Sequence, residues 1–208
     1  MLDKAGVTTV DALLITHTHH DHCGAYQQLA EDGRVGSVLV CHPQSVDPTA
    51  LQFYWFVKEE GQEVTQLESG AVLQIGSATA ELWVLGNKRS DLNERSGVVR
   101  LSFGGFTALF MADTREYAHS QLLKEKGPEW LACDLFRYPH HGADALSEDF
   151  RAVLQPELIV LTTTPDNPKK GKVCAAEMAY TVYTCYNILR LTTDGDSMKL
   201  EAITEYAD

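Results

Sequence analysis

The chain has 208 residues, 44% of them apolar and 22% charged, and its 17 basic and 29 acidic side chains leave a net charge of −12. That length suits one domain with a substantial core, and the apolar share excludes a disordered chain. The acidic balance argues against broad binding of duplex DNA, no run reaches the roughly 18 apolar residues of a membrane span, and the opening MLDKAGVTTVDA lacks the marks of a signal peptide.

Five cysteines (Cys23, Cys41, Cys133, Cys174, Cys185) contain no CxxC pair, which favours a reducing, cytoplasmic setting over a disulfide framework. No repeat or linker interrupts the chain, so residues 1–208 are read as a single domain. Val10 to Thr16 is a short apolar run that suits a buried strand, and it ends in a histidine-rich turn. Gly24 to Ala30 reads as a helix stopped near Gly33, and Val38 to Val40 as a strand. Thr49 to Glu60 reads as a helix or an aromatic-rich loop. Hairpin-like pieces follow at residues 63–76 and 78–86. Gly97 to Phe103 then turns at Gly104-Gly105 into Phe106 to Met111.

Ser120 to Lys126 reads as a helix ended by Gly127-Pro128, and Leu131 to Tyr138 as a strand leading into Pro139-His140-His141-Gly142. Glu148 to Leu154 is expected to be helical, Leu158 to Leu161 a strand, and Cys174 to Tyr186 a helix. Ile188 to Thr192 and Ser197 to Ile203 form a closing hairpin around Asp194-Gly195. Paired strands with interspersed helices indicate an α/β or α+β layered protein.

Most of the eight histidines fall in two clusters that follow strands. In His17-Thr18-His19-His20-Asp21-His22, a strand end and a tight turn can aim several side chains inward. His17 and His19 suit one metal, and Asp21 and His22 a second. Imidazole nitrogen with carboxylate oxygen suits zinc, and also manganese or iron. The bland alternative is a histidine-rich surface turn.

HTHHDH after an apolar strand resembles the HxHxDH signature of the metallo-β-lactamase fold superfamily. The resemblance implies a four-layer αββα sandwich with a one- or two-metal site at one edge. Asn93 to Gly105 followed by FTALFMADT, then RYPHHGAD, is similar to the blocks of the subgroup that includes the metallo-β-lactamase-like domain of ComEC-type DNA-uptake proteins. Ala112 stands where that subgroup has glycine, and Ala143 where it has serine. The resemblance makes Asp113 the aspartate shared by two divalent metals, with zinc expected. His17, His19 and Asp113 hold the first metal. Asp21, His22, His141 and Asp113 hold the second.

Asp21 and His140 are the expected catalytic residues, with His140 facing substrate as a hydrogen-bond donor or general acid. The expected reaction is attack by a metal-bridging hydroxide on a phosphodiester, either a small molecule or an oligonucleotide. Alternatives are a carboxylic ester, thioester or lactam substrate, or a non-catalytic interaction module. Many relatives add a histidine between the first block and the shared aspartate, and His42 comes too early for that place. Only sixteen residues precede His17, where such proteins begin with several strands. The expectation is therefore either an N-terminally shortened domain or a domain whose first strands lie outside this sequence, and a shortened first sheet would call for a second copy or a partner.

His20 is expected to face solvent or stand behind the ligands, His119 to lie on the surface, and Cys23 to be a small buried helix residue. Asn93 and Ser96 are expected either to position backbone near the metals or to cap a turn. Lys88, Arg89, Arg95 and Arg100 near one loop and Lys169, Lys170 and Lys172 in another are candidates to meet phosphate, or simply solvated surface.

Overall fold

The computed structural model describes residues 2–41, 48–86, 91–167, 169–184 and 188–202. His42, Lys88, Arg89 and Cys185 lie outside them, as do the ends of two expected elements at Tyr186 and Ile203.

The first strand, β1 (Val10–Ile15), pairs in parallel with β2 (Val35–Val40). Between them come a single helical turn α1 (His20–Cys23) and α2 (Ala25–Glu31). Gly33 ends α2 with a left-handed backbone (φ 66°). Its N–H donates to Ala30 O and the Arg34 N–H to Leu29 O, so two otherwise unpaired carbonyls are satisfied. A third parallel strand, β3 (Val64–Gln66), follows α3 (Pro48–Glu59) and completes a sheet ordered β1-β2-β3. Tyr26 of α2 and Phe53 and Val57 of α3 bury one face of this sheet against Ile15, Val35, Val38 and Val40.

The chain then moves to a second sheet of seven strands, so residues 63–76 are not a hairpin. The backbone turns at Gly70, whose N–H donates to Leu82 O at 2.8 Å. Strands β4 (Val72–Ile75), β5 (Ala78–Trp83), β6 (Val98–Phe103) and β7 (Phe106–Phe110) run antiparallel, with the expected glycine-pair turn between the last two. β8 (Leu135–Arg137), β9 (Leu158–Leu161) and β10 (Tyr180–Tyr183) extend the sheet in parallel from β7. A hairpin of β11 (Leu189–Thr193) and β12 (Met198–Ala202) closes the described chain.

Period-two alternation assigns the two faces of the large sheet. Leu109, Phe136, Ile159 and Leu161 face α4 (Glu116–Leu131), α5 (Glu148–Leu154) and α6 (Lys170–Met178). Ala108, Leu135, Leu158 and Val160 face Leu191, Met198 and Leu200 of the hairpin. Trp83 Nε1 donates to Glu125 Oε2 at 2.7 Å, and Trp130 Nε1 to Glu81 Oε2 at 2.8 Å, which pins α4 across β5. Among the described residues no helix is long and apolar enough to cross a membrane.

Three expected boundaries are corrected. The helix α4 starts at Glu116, breaks at Gly127 (φ 75°, ψ 174°) and makes one more turn through Leu131. The strand expected from Leu131 is therefore only Leu135–Arg137. The helix expected through residue 186 ends at Met178, because Tyr180-Thr181-Val182-Tyr183 pairs with β9. Aromatic and β-branched side chains favour that pleated edge over a further helical turn.

Candidate metal centre

Since β7, β8 and β9 are parallel, the residues after them share one rim of the sheet. Asp113 follows β7, the Pro139–Gly142 turn follows β8, and Thr162 follows β9. β6 runs the other way, so Asn93 to Gly97, just before it, reach the same rim. The small sheet meets the large one here. Gly97 N donates to Thr16 O at 3.0 Å, and a Cβ on Gly97 would stand 2.3 Å from Cys41 Sγ. Only glycine lets the end of β2 come this close.

Ile15 leads through Thr16 into His17, which is fully buried. His19 is extended (ψ 148°) and α1 begins at the next residue, so Asp21 and His22 turn toward Asp113. Asp113 Oδ2 is the point of convergence. It lies 3.2 Å from His22 Nε2, 3.6 Å from His141 Nε2 and 3.9 Å from His17 Nε2. Asp21 Oδ2 is 3.1 Å from His141 Nε2 and 3.6 Å from His22 Nε2. One ligand atom from each of Asp21, His22, Asp113 and His141 falls within 4.8 Å of the other three. His17 and His19 lie outside that group but beside it. Their rings are 4.8 Å apart, and His17 is 4.1 Å from the His22 ring.

The turns that aim these groups are strained. Ala112 (φ 48°), His140 (φ 47°) and His141 (φ 51°) are left-handed without being glycine, at about 1–2 kcal/mol each. Ala112 O accepts bonds from His140 N and from the Arg137 guanidinium, which fixes the first of them. Ser96 Oγ accepts from Asp113 N at 3.2 Å and donates to Asn93 O at 2.7 Å, so Ser96 positions the backbone of the shared aspartate.

The donor set fits a cation. His22 Nε2, His141 Nε2 and Asp113 Oδ1 are buried without an aligned hydrogen bond. His141 Nδ1 lies 3.1 Å from Thr162 O, which can only accept, so the ring proton sits on Nδ1. The Nε2 lone pair then faces the Asp21 and Asp113 carboxylates. Acceptors at such distances repel unless a cation stands between them. Burial by itself would raise the Asp113 carboxyl, but the neighbouring His22 and the Arg137 guanidinium hold it well below the usual carboxylate range. Burial also lowers His141 below the ordinary imidazole value, against the pull of Asp113.

His140 stands outside the ligand group. Its Nε2 is 3.5 Å from Asn93 Nδ2 and its Nδ1 is 3.7 Å from Asp144 Oδ2. Asp144 borders a polar groove of about 680 Å³, also lined by Glu94, Arg115, Tyr117 and Lys170. His20 is exposed, Cys23 is buried with its thiol pushed up to about 11 by that burial, and Arg100 donates from Nε to Trp130 O at the α4 face.

His119 is a correction. It is buried, stacks 5.0 Å from the Phe150 ring, and has Nε2 3.1 Å from Thr114 Oγ1. Sequence reasoning passed over three residues here: Glu94, whose Oε2 accepts from Ala118 N in the first turn of α4, Arg137 and Thr162. A charged residue closing an apolar strand just before HHG was the available signal for Arg137.

The metallo-beta-lactamase superfamily model matches residues 2–162, and the chain belongs to that family. It is 24% identical over 170 residues to the ComE operon protein 3 of Bacillus subtilis (strain 168), covering 80% of this chain and 21% of that protein. The chain thus spans about a fifth of that relative's length. In fold it is similar to YhfI from Bacillus subtilis, a metallo-beta-lactamase fold protein (13% identity, 92% of this chain and 78% of that one, TM-score 0.54). It is also similar to CmlA, a diiron beta-hydroxylase from Streptomyces venezuelae (16% identity, 85% and 44% covered, TM-score 0.57).

Proposed function

We propose that the chain is a metal-dependent hydrolase that cleaves phosphodiester bonds at a two-cation centre. The observation that carries this reading is the convergence of Asp21, His22 and His141 on Asp113, with His17 and His19 alongside. His17, His19 and Asp113 would hold one cation, and Asp21, His22, His141 and Asp113 the other. Zinc is the proposed metal. The donor set also suits manganese or iron, and one relative in fold is described as a diiron enzyme. Two divalent cations, when bound, supply an activated water and a clamp for a developing oxyanion.

The chain's own groups supply the rest. Asp21 is the exposed ligand, with its side chain 61% accessible, and sits where solvent and substrate arrive. His140 stands apart from the ligand set, with Asn93 and Asp144 on either side of its ring. Its role is to donate a hydrogen bond or proton to the reacting phosphate. The adjoining groove has room for the remainder of the substrate. Lys169 and Lys170 open α6, which touches the histidine turn where a Cβ on Gly171 would lie 2.7 Å from Gly142. With a net charge of −12, a small phosphodiester or a nucleic-acid end suits this surface better than long duplex.

The test pairs elemental analysis of chain purified without chelator or tag with turnover of bis(p-nitrophenyl) phosphate and of p-nitrophenyl esters. The expected result is about two transition-metal ions per chain and chelator-sensitive phosphodiester cleavage. Turnover of the carboxylic esters alone would move the reading to acyl chemistry. Absence of metal after resupply would leave an interaction module.

A further inference from the structure

We propose that Arg137 is a positioning residue: its forked guanidinium sets Asp113 and His141 in ligand geometry before any metal arrives, and metal affinity depends on it. The inference rests on the proposed metal centre and adds a determinant outside the ligand set.

Arg137 closes β8, between the two strands that deliver the groups in question. On the β7 side, Nη1 donates to Ala112 O and lies 3.6 Å from Asp113 Oδ1. On the β9 side, Nη2 donates to Thr162 Oγ1 at 3.0 Å. Thr162 in turn holds His141, with Oγ1 at 2.8 Å and O at 3.1 Å from Nδ1. One planar group therefore ties the left-handed residue before the shared carboxylate to the residue that orients the third imidazole. Because Oδ1 faces the guanidinium, Oδ2 is the oxygen left to meet the three histidines.

A lysine cannot do the same. Its ammonium is a point donor on a flexible stem and has no fixed fork to span two strand ends. Charge alone predicts an effect of opposite sign. A guanidinium beside a cation site repels the cation, so removing it would tighten binding if its charge were what mattered. Positioning predicts that removal weakens binding.

The experiment is a Zn²⁺ titration against a competing chelator for the wild-type chain, Arg137→Lys and Arg137→Met, with melting of each metal-free protein measured in parallel. Both variants are expected to lose about 10- to 100-fold in Zn²⁺ affinity, the size seen when groups behind metal ligands are removed. Retained charge in Arg137→Lys should not rescue the loss. Unchanged or tighter binding by Arg137→Met would overturn the proposal, as would wild-type affinity in Arg137→Lys. If neither variant folds, Thr162→Val removes the hydroxyl that links Arg137 Nη2 to His141, leaves the Thr162 carbonyl in place, and should cost about 3- to 10-fold in affinity. Unchanged affinity there also overturns it. A wild-type chain that takes up no Zn²⁺ would refute the metal centre itself, a result distinct from failure in the variants alone.

Discussion

Ser96 and Asp113, seventeen positions apart, are joined through one buried hydroxyl that accepts the aspartate's backbone N–H at 3.2 Å. Ser96 precedes β6 and Asp113 follows β7, so the bond closes the rim end of an antiparallel pair. Ser96→Ala leaves a buried N–H without its acceptor, and the expected cost is about 1–3 kcal/mol of stability. Urea denaturation checks the loss, and elemental analysis of the same variant should show lowered metal content. A variant as stable as wild type would remove Ser96 from the positioning of Asp113.

Asp113→Ala should lose both metal ions, because Asp113 is the residue that His17, His22 and His141 all approach. Elemental mass spectrometry on the purified variant decides this. Two ions retained would mean that the shared ligand is elsewhere.

His140→Ala should keep its metal and lose turnover by about 10²- to 10⁴-fold, the usual contribution of a positioned proton donor. The separation is expected because His140 faces Asn93 and Asp144 and not the ligand cluster. Wild-type turnover would exclude His140 from the chemistry.

His119 gives a pH dependence that does not involve the metal ligands. Burial lowers its pKa from 6.5 to about 4. The unfolded chain therefore binds a proton between those values while the folded chain does not. The stability is fully present above pH 6.5, declines as pH falls toward about 4, and is flat below. The expected loss over that window is about 3 kcal/mol. Denaturation of His119→Gln across the same range should show a shallower slope than wild type. Equal slopes would refute the assignment.

The parts of the site that were legible are those that sit together in the chain. HTHHDH, the aspartate after FTALFMA and the HHG turn each announce themselves within a few residues, and a strand before each fixes where they point. Thr162 carried no such signal and Arg137 only its place at the end of an apolar strand, because their partners come from neighbouring parallel strands and the register that aligns them is set by pairing across the sheet. His119 was misread for a related reason. The segment REYAHSQLLKEK is polar, and it is Phe150, thirty-one residues on, that covers the imidazole. Tyr180 to Tyr183 reads as more helix until β9 offers an edge to pair with. The hairpin at Gly104-Gly105, the closing hairpin and the short helix Glu148–Leu154 needed no distant partner and came out in place, whereas residues 63–76 part into two sheets.

The contact between Gly171 and Gly142 has a mechanical consequence. A Cβ on Gly171 would stand 2.7 Å from Gly142 Cα, from its carbonyl oxygen and from Tyr138 Cε1, so the helix backbone rests directly on the turn and on the Tyr138 ring. Helix α6 and the histidine turn are thereby geared together. Helix α6 cannot move closer to the histidine turn without meeting its backbone, and any side chain at residue 171 would push on the turn that carries His141.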